Sequence, residues 1–351
     1  MVSFSKPISA VAVIGLFLNL LLAHPGHDHH AEAQKRAAQI QTSSKHSLAH
    51  CADALKERGH VERALARRSE WAEELRARNF IETMPFLKAR DLDPLNISHA
   101  SHLTGLAANA TDGELFGDNE GGCVLQPEVT EGPYFVSGEL IRSNVVEHQG
   151  GIPLYADMQF LDMTTCEPLT HVWVDWWQCN STGVYGGVSA AGNGDSDTDT
   201  SNLNATFLRG IQSTDLNGVV RIESIFPGHY AGRTAHVHVL VHERNITIDV
   251  NKTIQDSSGM HVGQFFFDQD LISAVEATFP YHTNTQPLTT NEEDEYLATE
   301  AASSDPMMEY VLLGDKISDG ILAWISIGVN TSYSYDVWVA ATLTANGGVE
   351  D

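Results

Sequence analysis

Basic residues are scarce in this chain: 20 Lys and Arg stand against 46 Asp and Glu, a formal net charge of −26. The scarcity is uneven, since 12 of the 20 fall in residues 24–100 and residues 101–351 hold only seven against 35 acidic groups. A surface of that sign repels nucleic acid and anionic membranes, so neither is expected as a partner. Cysteine is sparse as well. Cys51, Cys123, Cys166 and Cys179 allow at most two disulfides, with three possible connectivities. Long apolar runs are missing after the first 23 residues, which excludes later membrane-spanning helices. Internal repeats are missing too. What is present is enough apolar material for a packed core, 42% of residues, which excludes a disordered chain.

The one apolar run, Ile8 to Ala23, is 16 residues long and follows Lys6. It is short for a transmembrane helix and suits a signal peptide over residues 1–23, although Leu21 fits the cleavage pattern poorly. A membrane anchor is the alternative. Seven N-x-S/T sequons, at Asn96, Asn109, Asn180, Asn204, Asn245, Asn251 and Asn330, add to the case for a secreted, extracellular glycoprotein. In that compartment the four cysteines are expected to form two disulfides. A hairpin made of 157–165 and 172–178 would put Cys166 near its turn and Cys179 at its far end, which argues against joining those two.

Residues 24–100 read as a polar tail followed by a helical arm. Leu48, Cys51, Ala52 and Leu55 recur at helical spacing, and Leu65, Ala72 and Leu75 resume the pattern beyond Gly59. The arm is expected to pack on the main domain or on a second subunit, in a possible homodimer. Residues 101–122 read as a linker. From 123 to 345 the pattern changes to short strands with Gly, Pro and Asn turns. The predicted class is mainly β: an antiparallel β-sandwich core with an N-terminal helical arm.

The chemistry gathers in "PGHYAGRTAHVHV", Pro227 to Val239. On a strand His236 and His238 share a face with Leu240 and His242, while Val237, Val239 and Val241 face the core. Two imidazoles on one face make half of a metal site. Upstream, Tyr185 follows a strand that ends near Gln178, and Tyr230 precedes the histidines. Two phenolates and two imidazoles neutralise much of a trivalent charge and favour Fe(III) over Fe(II) or Zn(II). Each residue alone is more often a packed or hydrogen-bonded group. His229 and His242 read as surface or supporting groups, and Trp173, Trp176 and Trp177 as core. Asp195, Asp197 and Asp199 lack the order of a calcium loop and read as solvated. "HPGHDHH" tempts a copper site at His24, but a disordered tail is the preferred reading.

Five segments in order, "CVLQPEVTEGPYF", "HVWVDWWQCNSTGVYGG", "FLRGIQSTDLNGVV", "PGHYAGRTAHVHV" and "GQFFFDQDL", resemble those of intradiol ring-cleavage dioxygenases. The secreted, fungal-type members related to protocatechuate and catechol dioxygenases are the most similar, over about 123–270. The resemblance implies non-haem Fe(III) held by Tyr185, Tyr230, His236 and His238, with Tyr230 as the ligand that leaves and Tyr185 as the one that stays. It also implies that Arg233 faces the substrate ring, that Gln264 supports the site, and that Gly132, Pro133 and Tyr134 border the substrate mouth. The implied reaction cleaves a catechol-type ring between its hydroxyls with O2 to give a muconate-type diacid. Departures are Gln178 where the family often has His, Gly187 where Ser is common, and a short run from Tyr230 to His236. The alternative is a secreted iron- or phenol-binding module without turnover.

Overall fold

The computed structural model describes residues 48–81 and 130–351, apart from 191, 195–198, 244–245, 250–251 and 302–303. The expected signal segment, histidine-rich tail and linker lie outside the described residues, as do Cys123, Asp195 and Asp197.

Eight strands build the sandwich: β1 (Pro153–Asp162), β2 (Trp173–Trp177), β3 (Arg209–Ser213), β4 (Val219–Ile225), β5 (His236–His242), β6 (His261–Phe266), β7 (Glu309–Leu312) and β8 (Ile321–Val329). One sheet has the order β6-β5-β2-β3 and is antiparallel throughout. The other has the order β7-β8-β1-β4, and there β8 runs parallel to β1, with Ile321 opposite Leu154. Alternation sorts the side chains. Val237, Val239, Val241, Val174, Trp176 and Phe265 meet Leu154, Ala156, Met158, Phe160, Ile222 and Ile325 in the core between the sheets. The β-branched residues of β5 suit this doubly buried strand, which is covered over its whole length.

The outer faces are covered too. Against the β7-β8-β1-β4 sheet lies the arm, α1 (Ala52–Glu57) and α2 (His60–Arg78), broken at Gly59 in the left-handed conformation (φ 57°, ψ 45°). Trp71, Ala72 and Leu75 pack on Tyr155, Leu322 and Trp324. Leu48 and Leu75 are buried, while Leu55 and Leu65 are half-buried at the edge of their clusters. The arm's apolar stripe therefore rests on its own sandwich. Arg67 grips the buried Asp157 in bidentate fashion (2.9 and 2.7 Å), and Arg68 and Arg221 add contacts at 3.4 and 3.3 Å. Burial opposes the charge on Asp157, but the three guanidiniums hold its carboxyl below the usual range.

A disulfide joins Cys51 of the arm to Cys166 in the β1–β2 turn. Among the described residues no second disulfide is formed, and Cys123 lies outside them. Cys179 keeps a free thiol, buried among loops, where it donates to the Gly228 carbonyl (3.4 Å). Burial pushes that thiol up to about 12, so it stays protonated and unreactive. Against the outer face of the β6-β5-β2-β3 sheet lies a layer of loops, and Tyr134, Phe135, Tyr185, Val188 and Tyr230 form a second core with Trp177 and Leu240. The candidate site is in this layer, on the side of the sandwich away from the arm.

Candidate active site

One rung of the sheet makes the floor. Arg209 on β3 is opposite Trp177 on β2, Trp177 is opposite His238 on β5, and His238 is opposite Gln264 on β6. Trp177 stacks flat on the His238 imidazole, with centroids 4.9 Å apart and planes 7° off parallel. His236 stands beside His238 on the same face, as the alternation requires.

Two turns bring the phenols. Tyr230 opens a turn closed by the Arg233 N–H to the Tyr230 carbonyl (3.1 Å), with Gly232 at φ 84° in the third position. That is the glycine a type II turn demands, and it explains how so short a run can deliver Tyr230 and His236 to one point. Tyr185 sits in the loop after β2. Its N–H donates to Asn193 Oδ1 (2.7 Å), and its carbonyl accepts from Asn193 and Asn202 (2.9 and 2.8 Å). Gly187 adopts φ 82°, and a Cβ there would lie 3.2 Å from Val136, so the serine common at this position would be strained here.

Four donor atoms converge. His236 Nε2 lies 3.0 Å from His238 Nε2, 3.4 Å from the Tyr185 hydroxyl and 3.5 Å from the Tyr230 hydroxyl. Donors about 2.0–2.1 Å from a shared cation have edges of about 2.9–3.4 Å, so the cluster already has coordination dimensions. His236 Nδ1 donates to the Thr234 carbonyl (2.7 Å), which leaves its Nε2 lone pair facing the cluster. His238 Nδ1 is buried without a partner among the described residues. Burial, then Arg233, lowers the His236 pKa; burial, then His236, lowers that of His238. Burial raises both phenols. Both phenols therefore keep their protons and both imidazoles stay neutral, each with a single N–H, and a multivalent cation among them would reverse the first preference. The donor set fits a hard, highly charged metal ion.

Arg233 is buried beside this cluster. Its Nε donates to Asp294 Oδ2 (2.9 Å), its Nη2 donates to Gln264 Oε1 (2.5 Å), and it lies 4.3 Å from the Tyr296 ring centroid. Gln264 in turn donates to the Thr130 carbonyl (3.2 Å). Gly132, Pro133 and Tyr134 run across His238, and a Cβ on Gly132 (φ 71°) would lie 3.2 Å from its Cε1. The Tyr134 ring packs at a tilt against Tyr185 (centroids 4.7 Å apart, planes at 31°).

All nine expected site residues thus come together. For His229 and His242, read as surface or supporting groups, burial excludes the first alternative. His229 is buried, within 2.7 Å of Glu276 and 3.1 Å of the Gln286 carbonyl, and His242 is buried against Asp175 and Asp256; neither is at the surface, because the loop layer covers both. Gln178 is buried between Ser224 and the Ile225 carbonyl. Asp199 caps a short helical turn by accepting from the Ser201 N–H. Sequence reasoning missed Asp294, Asn193, Asn202 and Arg209. His50, Cys51 and Cys166 also cluster, but both sulfurs are spent in the disulfide and offer no thiolate.

A β-sandwich with a buried two-tyrosine, two-histidine centre under a loop layer is the class that fold and site define. No protein-family model and no curated protein sequence matches the chain. Among solved structures it is similar to an intradiol ring-cleavage dioxygenase from Tetranychus urticae, at 31% identity and a TM-score of 0.50, over 60% of this chain and 97% of that one. Catechol 1,2-dioxygenase from Pseudomonas arvilla C-1 (17% identity, 60% of this chain, 63% of that one, TM-score 0.38) also matches. So does hydroxyquinol 1,2-dioxygenase from Pseudomonas putida DLL-E4 (16%, 86%, 97%, 0.35). The chain belongs to the intradiol ring-cleavage dioxygenase family and is an oxidoreductase of that kind.

Proposed function

We propose that the protein is a secreted non-haem Fe(III) dioxygenase that opens catechol-type rings between their two hydroxyls with O2, giving muconate-type diacids. The observation that carries this reading is the meeting of two phenol oxygens and two imidazole nitrogens within 3.5 Å of one buried point. Membership of the family supports the same reaction class.

Tyr185, Tyr230, His236 and His238 would hold the iron. When bound, it supplies Lewis acidity and a template for two adjacent ring oxygens. The two tyrosines are suited to different tasks. Tyr185 is pinned through three main-chain bonds to Asn193 and Asn202, whereas Tyr230 rides on a four-residue turn. Tyr230 is therefore the phenol that can swing away and take a proton from the substrate. Burial holds the Tyr230 phenol above its ordinary value of about 10, which makes its oxygen, once released, a ready acceptor for that proton. Arg233, held by Asp294 and Gln264, offers a fixed positive charge to negative charge growing on the ring. The 132–134 segment roofs His238 and keeps water from that side.

The test is an oxygen-electrode screen over catechol, substituted catechols and hydroxyquinol, with product masses. The reading expects O2 uptake and a product heavier than its substrate by both oxygen atoms. A protein that binds these phenols and consumes no O2 would be a binding module instead.

A further inference from the structure

Arg209 is 1% exposed, and its position on β3 gave no sign of a role in the site. The structure gives it three attachments. Its Nε donates to the Gly186 carbonyl (2.6 Å), beside Tyr185. Its Nη2 donates to the Tyr134 carbonyl (2.7 Å), in the segment that roofs His238. Its Nη1 faces the buried Glu139, whose Oε1 is 3.6 Å away. The guanidinium carbon also lies 5.9 Å from the centroid of the Tyr185 ring, within cation–π range. Arg209 further ends the rung that runs through Trp177 and His238 to Gln264, the partner of Arg233.

We infer that Arg209 is a positioning residue that rivets the Tyr185 loop to the 132–134 roof and sets the electron richness of the Tyr185 phenol, with Glu139 as its counter-charge. The planar fork allows this and an ammonium would not, because two carbonyls on different segments are reached in fixed directions. A cation near the ring face withdraws density from a phenolate, and a carboxylate behind the cation moderates it. The residue touches neither metal donor atoms nor substrate; it acts through Tyr185 and Tyr134.

The inference rests on the Fe(III) reading, so the experiment separates the two. Iron-loaded wild type, Arg209→Gln and Glu139→Gln are compared by visible spectrum, kcat and KM, with Leu75→Ala as a destabilised control on the opposite side of the sandwich. Arg209→Gln is expected to move the phenolate-to-iron band to longer wavelength and to lower kcat about 10- to 100-fold, the scale for a misplaced catalytic group. Burial holds the Glu139 carboxyl up to about 8, so at pH 9, where it is ionised, Glu139→Gln is expected to move the band the other way. Leu75→Ala should lower Tm and leave the band in place. In metal-free protein, Arg209→Gln should speed hydrogen exchange at the amides of Tyr185 and Gly187, and this readout does not depend on iron. An unchanged band and unchanged exchange in a folded Arg209→Gln protein would overturn the inference, as would a shift that Leu75→Ala reproduces. Should Arg209→Gln fail to fold, Glu139→Gln at pH 9 decides: a band unmoved by it there overturns the inference. A wild type without any such band fails the iron reading, not the rivet, whose exchange arm stands alone.

Discussion

Arg233 shows how one residue carries two loads. Its charge faces the donor cluster, yet it is also half of a buried ion pair with Asp294. Truncating one partner of such a pair leaves a bare buried charge and costs about 3–5 kcal/mol. Arg233→Ala should therefore lose turnover by a factor on the order of 100 and stability as well. Adding Asp294→Asn should restore much of the stability and none of the turnover, as a double-mutant cycle of denaturant midpoints and rates would report. Equal destabilisation by the single and double variants would deny the coupling. The histidine pair and both tyrosines were legible in the sequence because face alternation and the order of the segments point to them. Asp294 was not, because it is 61 residues from Arg233 and one acid among 46. Arg209 was not, because an arginine in a short alternating strand reads as solvent-facing.

His242 belongs to this scale too. Burial lowers its pKa, but the carboxylates of Asp175 (3.8 Å) and Asp256 (3.4 Å) more than offset that and raise it to about 9. Its ordinary value is about 6.5, so the native state binds this proton more tightly than the unfolded chain. The stabilisation is complete below about pH 6.5 and is lost as pH rises through 9. A pH series of Tm should show that decline in wild type and a shallower one in His242→Gln. Identical slopes would remove His242 from the account.

At the level of elements, the arm and the site lie on opposite faces of one sandwich. Leu75→Ala should cost about 2–5 kcal/mol through lost packing against Leu322 and Trp324. Replacing Cys51 or Cys166 by Ser removes a cross-link of 115 residues' separation and should cost several kcal/mol, of order 4–5 in the chain-entropy picture. Calorimetry of these variants, read beside their visible spectra, should give lower Tm values with unaltered site bands. A lost band would mean that the arm supports the site through the core. The helical arm and its break at Gly59 were legible from heptad-like spacing and a lone glycine. The parallel pairing of β8 with β1 was not, because both directions present the same alternating pattern and only tertiary context chooses between them. Of the two disulfides expected, one is formed among the described residues and Cys179 is free there, since a cysteine count says nothing about whether a thiol can be reached by a partner.

For the whole molecule, the acidic surface and the sequons bear on where it works. We propose that it is exported and glycosylated, and the structure ranks three of the acceptor asparagines. Asn204 and Asn330 accept turn or loop bonds through their carboxamide oxygens, and among the described residues their amide nitrogens donate none. Asn180 donates through its nitrogen to Gln149 (3.1 Å) and accepts from Thr182 and Val184. Peptide mapping of protein secreted by its native host should find glycans at Asn204 and Asn330 and a bare Asn180. A glycan on Asn180, or none anywhere, would contradict this.

The central claim is the four-residue centre, and metal analysis combined with visible spectroscopy of the purified protein tests it most directly. Two tyrosinates on Fe(III) should give one iron per chain and a reddish protein, whose band moves to longer wavelength when catechol is added without O2. Tyr230→Phe should retain part of the iron, and Tyr185→Phe should lose more, because Tyr185 stays bound throughout. A colourless wild type carrying zinc, whose filled d shell gives no such band, or carrying no metal after reconstitution with iron, would contradict the account.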